Sequence, residues 1–319
     1  MRNRYIYIIV AVTAVMSACT RTEIESRNDS ISFKPVAAKA TKTIISGTEY
    51  PTSESFVVSA FHNGTDAYFE DLTASHGSTY WETSPAQYWP LNGSLTFRAY
   101  SPASAGLTID SDGVSVSDYT VQTAAQQTTD LCYASATVAD CSQHPDSVPL
   151  TFSHALTQVV FRVKAAEYYN TNAQTVSLAV TSMSIGGVFS IGDLLSSGTW
   201  DNLNSLYTYS LSSSSTPLTY DADHLPETTV ISSALYIPQE LSGVATLNVG
   251  YSIVQETNTT TYTLTNPPVS IPLAGTITEW LPGKKYIYTI TIGMNNVITF
   301  TASAVNWLEE NEEIIVEET

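Results

Sequence analysis

From Tyr286 to Ile292 the even positions are Tyr286, Tyr288, Ile290 and Ile292, while Thr289 and Thr291 fall between them. That period of two predicts a strand with one apolar face. After Gly293-Met294-Asn295-Asn296, alternation resumes with Ile298, Phe300, Ala302 and Ala304 against Thr299, Thr301 and Ser303. Two alternating runs around an Asn-rich break predict a β-hairpin. Pro282-Gly283 ahead of it fits a tight turn, because proline presets φ and glycine accepts the left-handed region. Past Ala304 the apolar phase moves to Val305 and Trp307, which predicts a bulge before the chain leaves the sheet.

The same alternation recurs upstream in shorter pieces. Ile31 and Phe33 share a face of a short run ended by Pro35, and a polar loop carrying Lys39 and Lys42 separates it from the stronger strand Ser55 to Phe61. Ala67-Tyr68-Phe69, Leu95-Phe97-Ala99, Leu107-Ile109 and Val114-Val116 follow, punctuated by Asn63-Gly64, Asn92-Gly93 and Asp112-Gly113. Further strands are expected at Pro149 to Val163, at Thr175 to Ile185 with a break at Gly186-Gly187, at Leu206 to Leu211 and at Val230 to Pro238. Ala245 to Ile253 and Thr261 to Leu264 complete the set, with Trp200 expected in a turn. Turn signals about every ten residues without a helical period predict an all-β protein of sandwich type. The chain is long enough for two cores, which we expect at residues 31–146 and 147–319.

The first nineteen residues do not fit that pattern. Arg2 and Arg4 precede an apolar run from Tyr5 to Met16 that is too short to span a bilayer, so residues 1–18 read as a secretory signal peptide. Met16-Ser17-Ala18-Cys19 resembles a bacterial lipobox, which makes Cys19 the expected lipidation site and residues 19–30 a lipidated linker. Thr20 is not the aspartate that retains many lipoproteins at the inner membrane, so the outer membrane is the expected destination.

Composition narrows the function. The net charge is -18, and loss of Arg2 and Arg4 leaves 10 basic residues against 30 acidic ones. Such a surface repels nucleic acid. Cys132 and Cys141 are the other two cysteines. In an oxidising compartment a disulfide between them is one reading, and metal binding is not expected, since two cysteines without a nearby histidine pair make an incomplete zinc site. Trp81 and Trp89 lie in aromatic-rich stretches that either stack on sugar rings of a glycan or host ligand or close a β-core. His62, His76, His144, His154 and His224 form no motif, His154 reads as a packed strand residue, and no nucleophile, zinc-protease or phosphate-loop signature occurs. Neither an enzyme nor a cofactor is expected.

Several phrases, in this order, carry a resemblance. They are Tyr88-Trp89-Pro90 through Leu95-Thr96-Phe97-Arg98-Ala99-Tyr100, then LTFSHALTQVVFRV, LYIPQEL, WLPGKKYIYTITI and Val305-Asn306-Trp307. Together with the lipobox they resemble the fimbrillin family of Bacteroidales lipoproteins. The resemblance implies two tandem transthyretin-like β-sandwich domains, carried to the outer membrane by a lipid anchor and assembled with other pilin subunits, or with copies of itself, into adhesive type V pili. In such pilins a protease, often arginine-specific, removes the first strand, and a strand from another subunit fills the groove by donor-strand exchange. Carried onto this chain, the removable strand is Ile31 to Phe33 and the cut falls at Lys39 or Lys42. This departs from an arginine rule, because Arg27 lies upstream of the strand and a cut there leaves the groove filled. Either the protease accepts lysine or the subunit is an uncut anchor, a tip or a non-polymerising relative. Ile314, Ile315 and Val316, in the acidic tail, are the other candidate exchanged strand, with a plain edge strand as the equal alternative.

Overall fold

In the computed structural model the described residues are 24–37, 50–122, 124, 128–165, 175–211, 218–220, 229–241, 243–275, 277–293 and 298–306. In chain order the strands begin with β1 (Ser26–Ser30), β2 (Ser32–Ala37), β3 (Phe56–His62), β4 (Asp66–His76), β5 (Trp81–Thr83), β6 (Tyr88–Pro90) and β7 (Leu95–Ser101). There follow β8 (Thr108–Ile109), β9 (Val114–Thr120), β10 (Cys132–Val138), β11 (Val148–His154), β12 (Thr157–Ala165), β13 (Thr175–Leu194) and β14 (Trp200–Ser210). The last are β15 (Leu218–Tyr220), β16 (Thr229–Tyr236), β17 (Gln239–Glu240), β18 (Thr246–Glu256), β19 (Thr261–Pro272), β20 (Glu279–Trp280), β21 (Lys284–Ile292) and β22 (Ile298–Asn306). The expectation of an all-β chain holds, and helix among the described residues is confined to short 3-10 turns such as Ala103–Ala105 and Cys141–Gln143.

The earlier strands close on themselves. β10, β11, β2, β5, β4, β3 and β7 pair in that order, and β7 pairs back onto β10 along the whole of its length. Closure leaves no strand of the ring with a wholly unpaired edge. Phe33, Phe56, Phe97, Phe152, Trp89, Leu95, Val148 and Leu150 fill the interior. Burial of β11 alternates residue by residue, as its hydrophobic pattern dictates.

The later strands form two facing sheets. One runs β16-β12-β21-β22; the other runs β19-β18-β13-β9-β8, with β14 and β15 also paired to β13. Val159, Phe161 and Val163 of β12 and Tyr286, Tyr288 and Ile290 of β21 face Val176, Leu178, Val180 and Ile185 of β13 and Leu247, Val249, Tyr251 and Ile253 of β18. β12 and β21 pair in parallel over eight positions, and each lies between two neighbours in its sheet, β12 between β16 and β21 and β21 between β12 and β22.

Three expectations change in detail. The predicted hairpin is present as β21 and β22, but its register runs unbroken from Ile292↔Ile298 to Lys284↔Asn306, so there is no bulge at Val305. The phase change has another cause: Val305 turns to the opposite face of the sheet and packs with Val160 and Ile287. Gly186-Gly187 does not end a strand either, because β13 continues through it to Leu194. Gly187 has φ +72 and its α-carbon lies so close to the Val244 carbonyl that a β-carbon would collide with it. The glycine pair is therefore a point of close approach within a long strand. Finally, β8 and β9, which the sequence places among the earlier residues, extend the β13 sheet through Ile191↔Thr120 and Gly192↔Tyr119. A division of the chain near residue 146 stays a proposal, one in which residues 108–120 are lent to the later core.

Candidate functional site

The sequence directs attention to β2, and the structure gives it an unusual position. β2 is the sole link in the ring between β11 and β5. On one side it pairs in parallel with β11 over five positions, from Val148↔Phe33 to Phe152↔Ala37. On the other it pairs with β5 at only two, Ser32↔Glu82 and Phe33↔Trp81. Beyond Phe33 no described strand covers that second side, which is where Pro35, lacking a backbone donor, is tolerated.

Alternation fixes which side chains enter the core. Ile31, Phe33 and Pro35 are buried and Lys34 is exposed, while the small Ser32 is also covered. The Phe33 ring is fully buried and meets two rings edge-on, Phe56 at 5.8 Å and Phe97 at 5.5 Å between centroids. Burying a side chain of this size contributes roughly 1.5–3 kcal/mol. Two polar contacts tie down the strand's entry: the Ile31 amide donates to the Gln87 carbonyl at 2.7 Å, and the Ser32 hydroxyl donates to the Asp146 carbonyl at 2.9 Å.

Behind the strand lies an aromatic cluster. Tyr50 packs against Phe56, Trp81 and Phe152 with centroids 5.4 to 5.8 Å apart. Its hydroxyl donates to the Ser55 carbonyl at 3.1 Å and lies 2.8 Å from the Ser101 hydroxyl. Burial pushes the Tyr50 phenol well above its ordinary range, so the ring is a neutral core residue.

β1, the segment ahead of β2, lies across β6 instead, with the Leu91 amide donating to the Glu25 carbonyl at 3.0 Å. Arg27 is half-buried in this strand. Asp29 reaches His144, carboxylate to Nε2 at 3.5 Å, and the His144 ring stacks flat on Trp89 at 4.6 Å and 6°.

Other expected site residues fall as follows. Cys19, Lys39, Lys42, Ile314, Ile315 and Val316 lie outside the described residues. Trp81 and Trp89 are core residues, 6% and 1% exposed, so they present no face to a sugar. Trp81 donates from its indole to the Glu54 carbonyl at 3.1 Å and packs on His76, and Trp89 is wedged between His144 and Phe97. Their tryptophan-rich sequence reflects a closed barrel, and the ligand reading loses its residues. Cys132 and Cys141 are buried free thiols and not a disulfide. Cys132 opens β10 and Cys141 lies three residues past its end, and six steps of extended chain already span about 20 Å, several times the reach of a disulfide.

One constellation escaped the sequence. His154 is the direct partner of Cys132 across β10 and β11, and Asp130 lies just before β10. His154 Nδ1 is 2.7 Å from Asp130 Oδ2 and 3.4 Å from Cys132 Sγ, and the thiol is 3.7 Å from Asp130 Oδ2. All three are buried. Burial first, and the Asp130 charge second, push the Cys132 thiol up, so on its own it stays protonated. Twenty-two residues separate Cys132 from His154, and only the strand pairing joins them.

The comparisons with known proteins agree with this architecture. A family profile described as fimbrillin-like matches residues 20–307. Among solved structures, a protein of Bacteroides uniformis provisionally assigned to cell adhesion is similar with a TM-score of 0.54 and 14% identity, covering 87% of this chain and 98% of that one. A protein of Bacteroides ovatus with the same provisional assignment gives 0.54 and 15%, covering 91% and 100%, and one of Bacteroides eggerthii gives 0.52 and 12%, covering 89% and 97%. At these identities the likeness is one of fold. No curated protein matches the sequence.

Proposed function

The chain belongs to the fimbrillin-like family, and we propose on that footing that it is a fimbrial subunit of the cell surface, exported as an outer-membrane lipoprotein through Cys19 and assembled by donor-strand exchange. The observation that carries the exchange is the position of β2. Its loss would open the closed ring, it comes first in the ring by sequence, and only two residue pairs hold it to β5.

Loss of β2 would leave the edges of β5 and β11 without their ladder and the rings of Phe56 and Phe97 without Phe33 between them. Both deficits are met by one extended segment, whose backbone completes the ladders and whose alternate side chains fill the interior. A second subunit is the natural source of such a segment, and the apolar run Ile314-Ile315-Val316 has the right character for it.

The cut that frees β2 must fall between β2 and β3, which in this chain means Lys39 or Lys42. Cleavage at Arg27, within β1, would separate the lipid from the fold and leave the ring closed. The pairing of β1 with β6 and the half-buried state of Arg27 make that bond a poor substrate in the folded chain.

Mass spectrometry of the protein taken from its native outer membrane tests this reading. The expected results are an acylated Cys19 in the precursor and a mature N-terminus between residues 38 and 50. A mature chain that begins at or before Asn28, or a Cys19 that carries no acyl group, would overturn it in part: the first removes strand exchange through β2, the second the lipid anchor.

A further inference from the structure

Asp130, Cys132 and His154 have no part in the β2 slot, yet among the described residues they are the one set of three metal-ligating side chains whose donor atoms converge. Each offers a different donor: a carboxylate, a thiol sulfur and an imidazole nitrogen. Their separations are 2.7, 3.4 and 3.7 Å. Asp130 has a second carboxylate oxygen, Oδ1, which is out of solvent and has no hydrogen-bond partner among the described residues. An orphaned carboxylate oxygen in an interior is costly, and its presence beside two further ligand types asks for a cation.

We propose that Asp130, Cys132 and His154 form a buried structural site for a zinc-type divalent cation, with Asp130 binding through both carboxylate oxygens. Sulfur, nitrogen and two oxygens then supply four donor atoms from three residues, each of a ligand type that binds zinc. The charges balance: a thiolate and a carboxylate against one dication leave a neutral cluster, as burial requires. On binding, the Cys132 thiol proton passes to solvent, and the proton between His154 Nδ1 and Asp130 vacates that gap while His154 stays a neutral imidazole protonated at Nε2. Donor atoms around such an ion stand about 3.5 Å apart, so the two gaps to sulfur already fit and the imidazole–carboxylate gap widens by less than about 1 Å.

The location gives the site a purpose. Cys132 packs in the earlier core, whereas its neighbour Leu131 packs in the later one, together with Ala155, which follows His154. The Ala155 amide donates to the Leu131 carbonyl at 2.7 Å at this point, and the Trp200 indole donates to the Ala155 carbonyl at 2.7 Å. A cation here pins β10 to β11 where both strands cross between the two cores. The plain alternative, an Asp130–His154 ion pair beside a thiol, uses the same side chains without a metal.

Cobalt separates the two readings, since Co2+ occupies zinc sites and its bond to a thiolate absorbs in the near ultraviolet. The full chain is refolded in detergent under reducing, chelator-free conditions with Co2+, and unbound metal is removed. The site predicts one Co2+ retained per chain and a thiolate-to-cobalt band, displaced by Zn2+, kept in Cys141→Ser and reduced at least tenfold in Cys132→Ser. No retained Co2+, or a band that persists in folded Cys132→Ser, overturns the proposal. Should Cys132→Ser fail to fold, Asp130→Asn keeps the thiol and decides: loss of retained metal supports the site, and unchanged retention overturns it.

Discussion

Phe33 stands edge-on to Phe97, 5.5 Å between centroids and 84° between planes, with one residue on the strand that enters the ring first and the other on a strand near its closure. This contact ties the N-terminal strand to the interior of the barrel. It is the link that strand exchange has to break and then restore with a different side chain.

Replacing Phe33 by alanine should lower the stability of the full chain by about 3–5 kcal/mol, the usual cost of deleting a buried phenyl ring. Lys34→Ala, one residue on and exposed, should change it by no more than about 0.5 kcal/mol. Urea unfolding followed by circular dichroism measures both. Equal effects at the two positions would mean that β2 does not present alternate faces to core and solvent.

Buried tyrosines make the fold sensitive to alkali. Burial pushes Tyr209 up to about 12, and Tyr119, Tyr236 and Tyr288 are displaced in the same direction for the same cause. A phenol whose folded pKa is raised contributes stability in full below its unfolded value near 10, and that contribution is lost as pH rises through the folded value. A spectrophotometric titration should therefore show phenolate absorbance in two parts. One part should appear in the ordinary phenol range near pH 10, and the buried set should appear only with cooperative unfolding around pH 12 or above. A single smooth titration centred near 10 would contradict the burial.

The two cysteines should remain unpaired. Burial, reinforced by the neighbouring Asp140 charge, raises the Cys141 thiol to about 11, which keeps it protonated and slow to react at neutral pH. Alkylation of the native chain at pH 7.5 should leave Cys132 and Cys141 unmodified, and alkylation after denaturation without reductant should label both. A denatured chain that takes no label at either position would reveal a disulfide.

Gly187 should be far less replaceable than Gly243. At Gly187 a β-carbon would meet the Val244 carbonyl and the positive φ disfavours any other residue, whereas Gly243 has open space around it. Thermal unfolding should place Gly187→Ala at least about 1–2 kcal/mol below the parent and Gly243→Ala within about 0.5 kcal/mol of it.

Much of this fold can be read from alternation, because a strand with one buried face must repeat every second residue. β11 obeys that rule throughout and β21 over its second half, and both are found where it puts them. Alternation says less about what lies on each face. It could not show that Val305 departs from the pattern to reach Val160 and Ile287, nor that Gly187 accommodates a neighbouring carbonyl rather than ending β13. Trp81 and Trp89 illustrate the same gap: aromatic residues in a turn-rich stretch look alike whether they hold a ligand or plug a barrel, and only ring closure puts them inside. The Asp130, Cys132 and His154 group is the extreme case, since the pairing that unites it is set by tertiary register.

The central claim is that β2 is a replaceable wall of the ring, and its most direct test is the state of the chain after β2 is gone. The purified protein is digested with a lysine-specific protease under native conditions and run on gels without boiling, with intact mass measured in parallel. The account predicts loss of the residues up to Lys39 or Lys42, followed by a ladder of detergent-resistant multimers that competing peptide of the Ile31–Ala37 sequence suppresses. A chain that loses this segment and remains a folded monomer, with no ladder at any concentration, would contradict it.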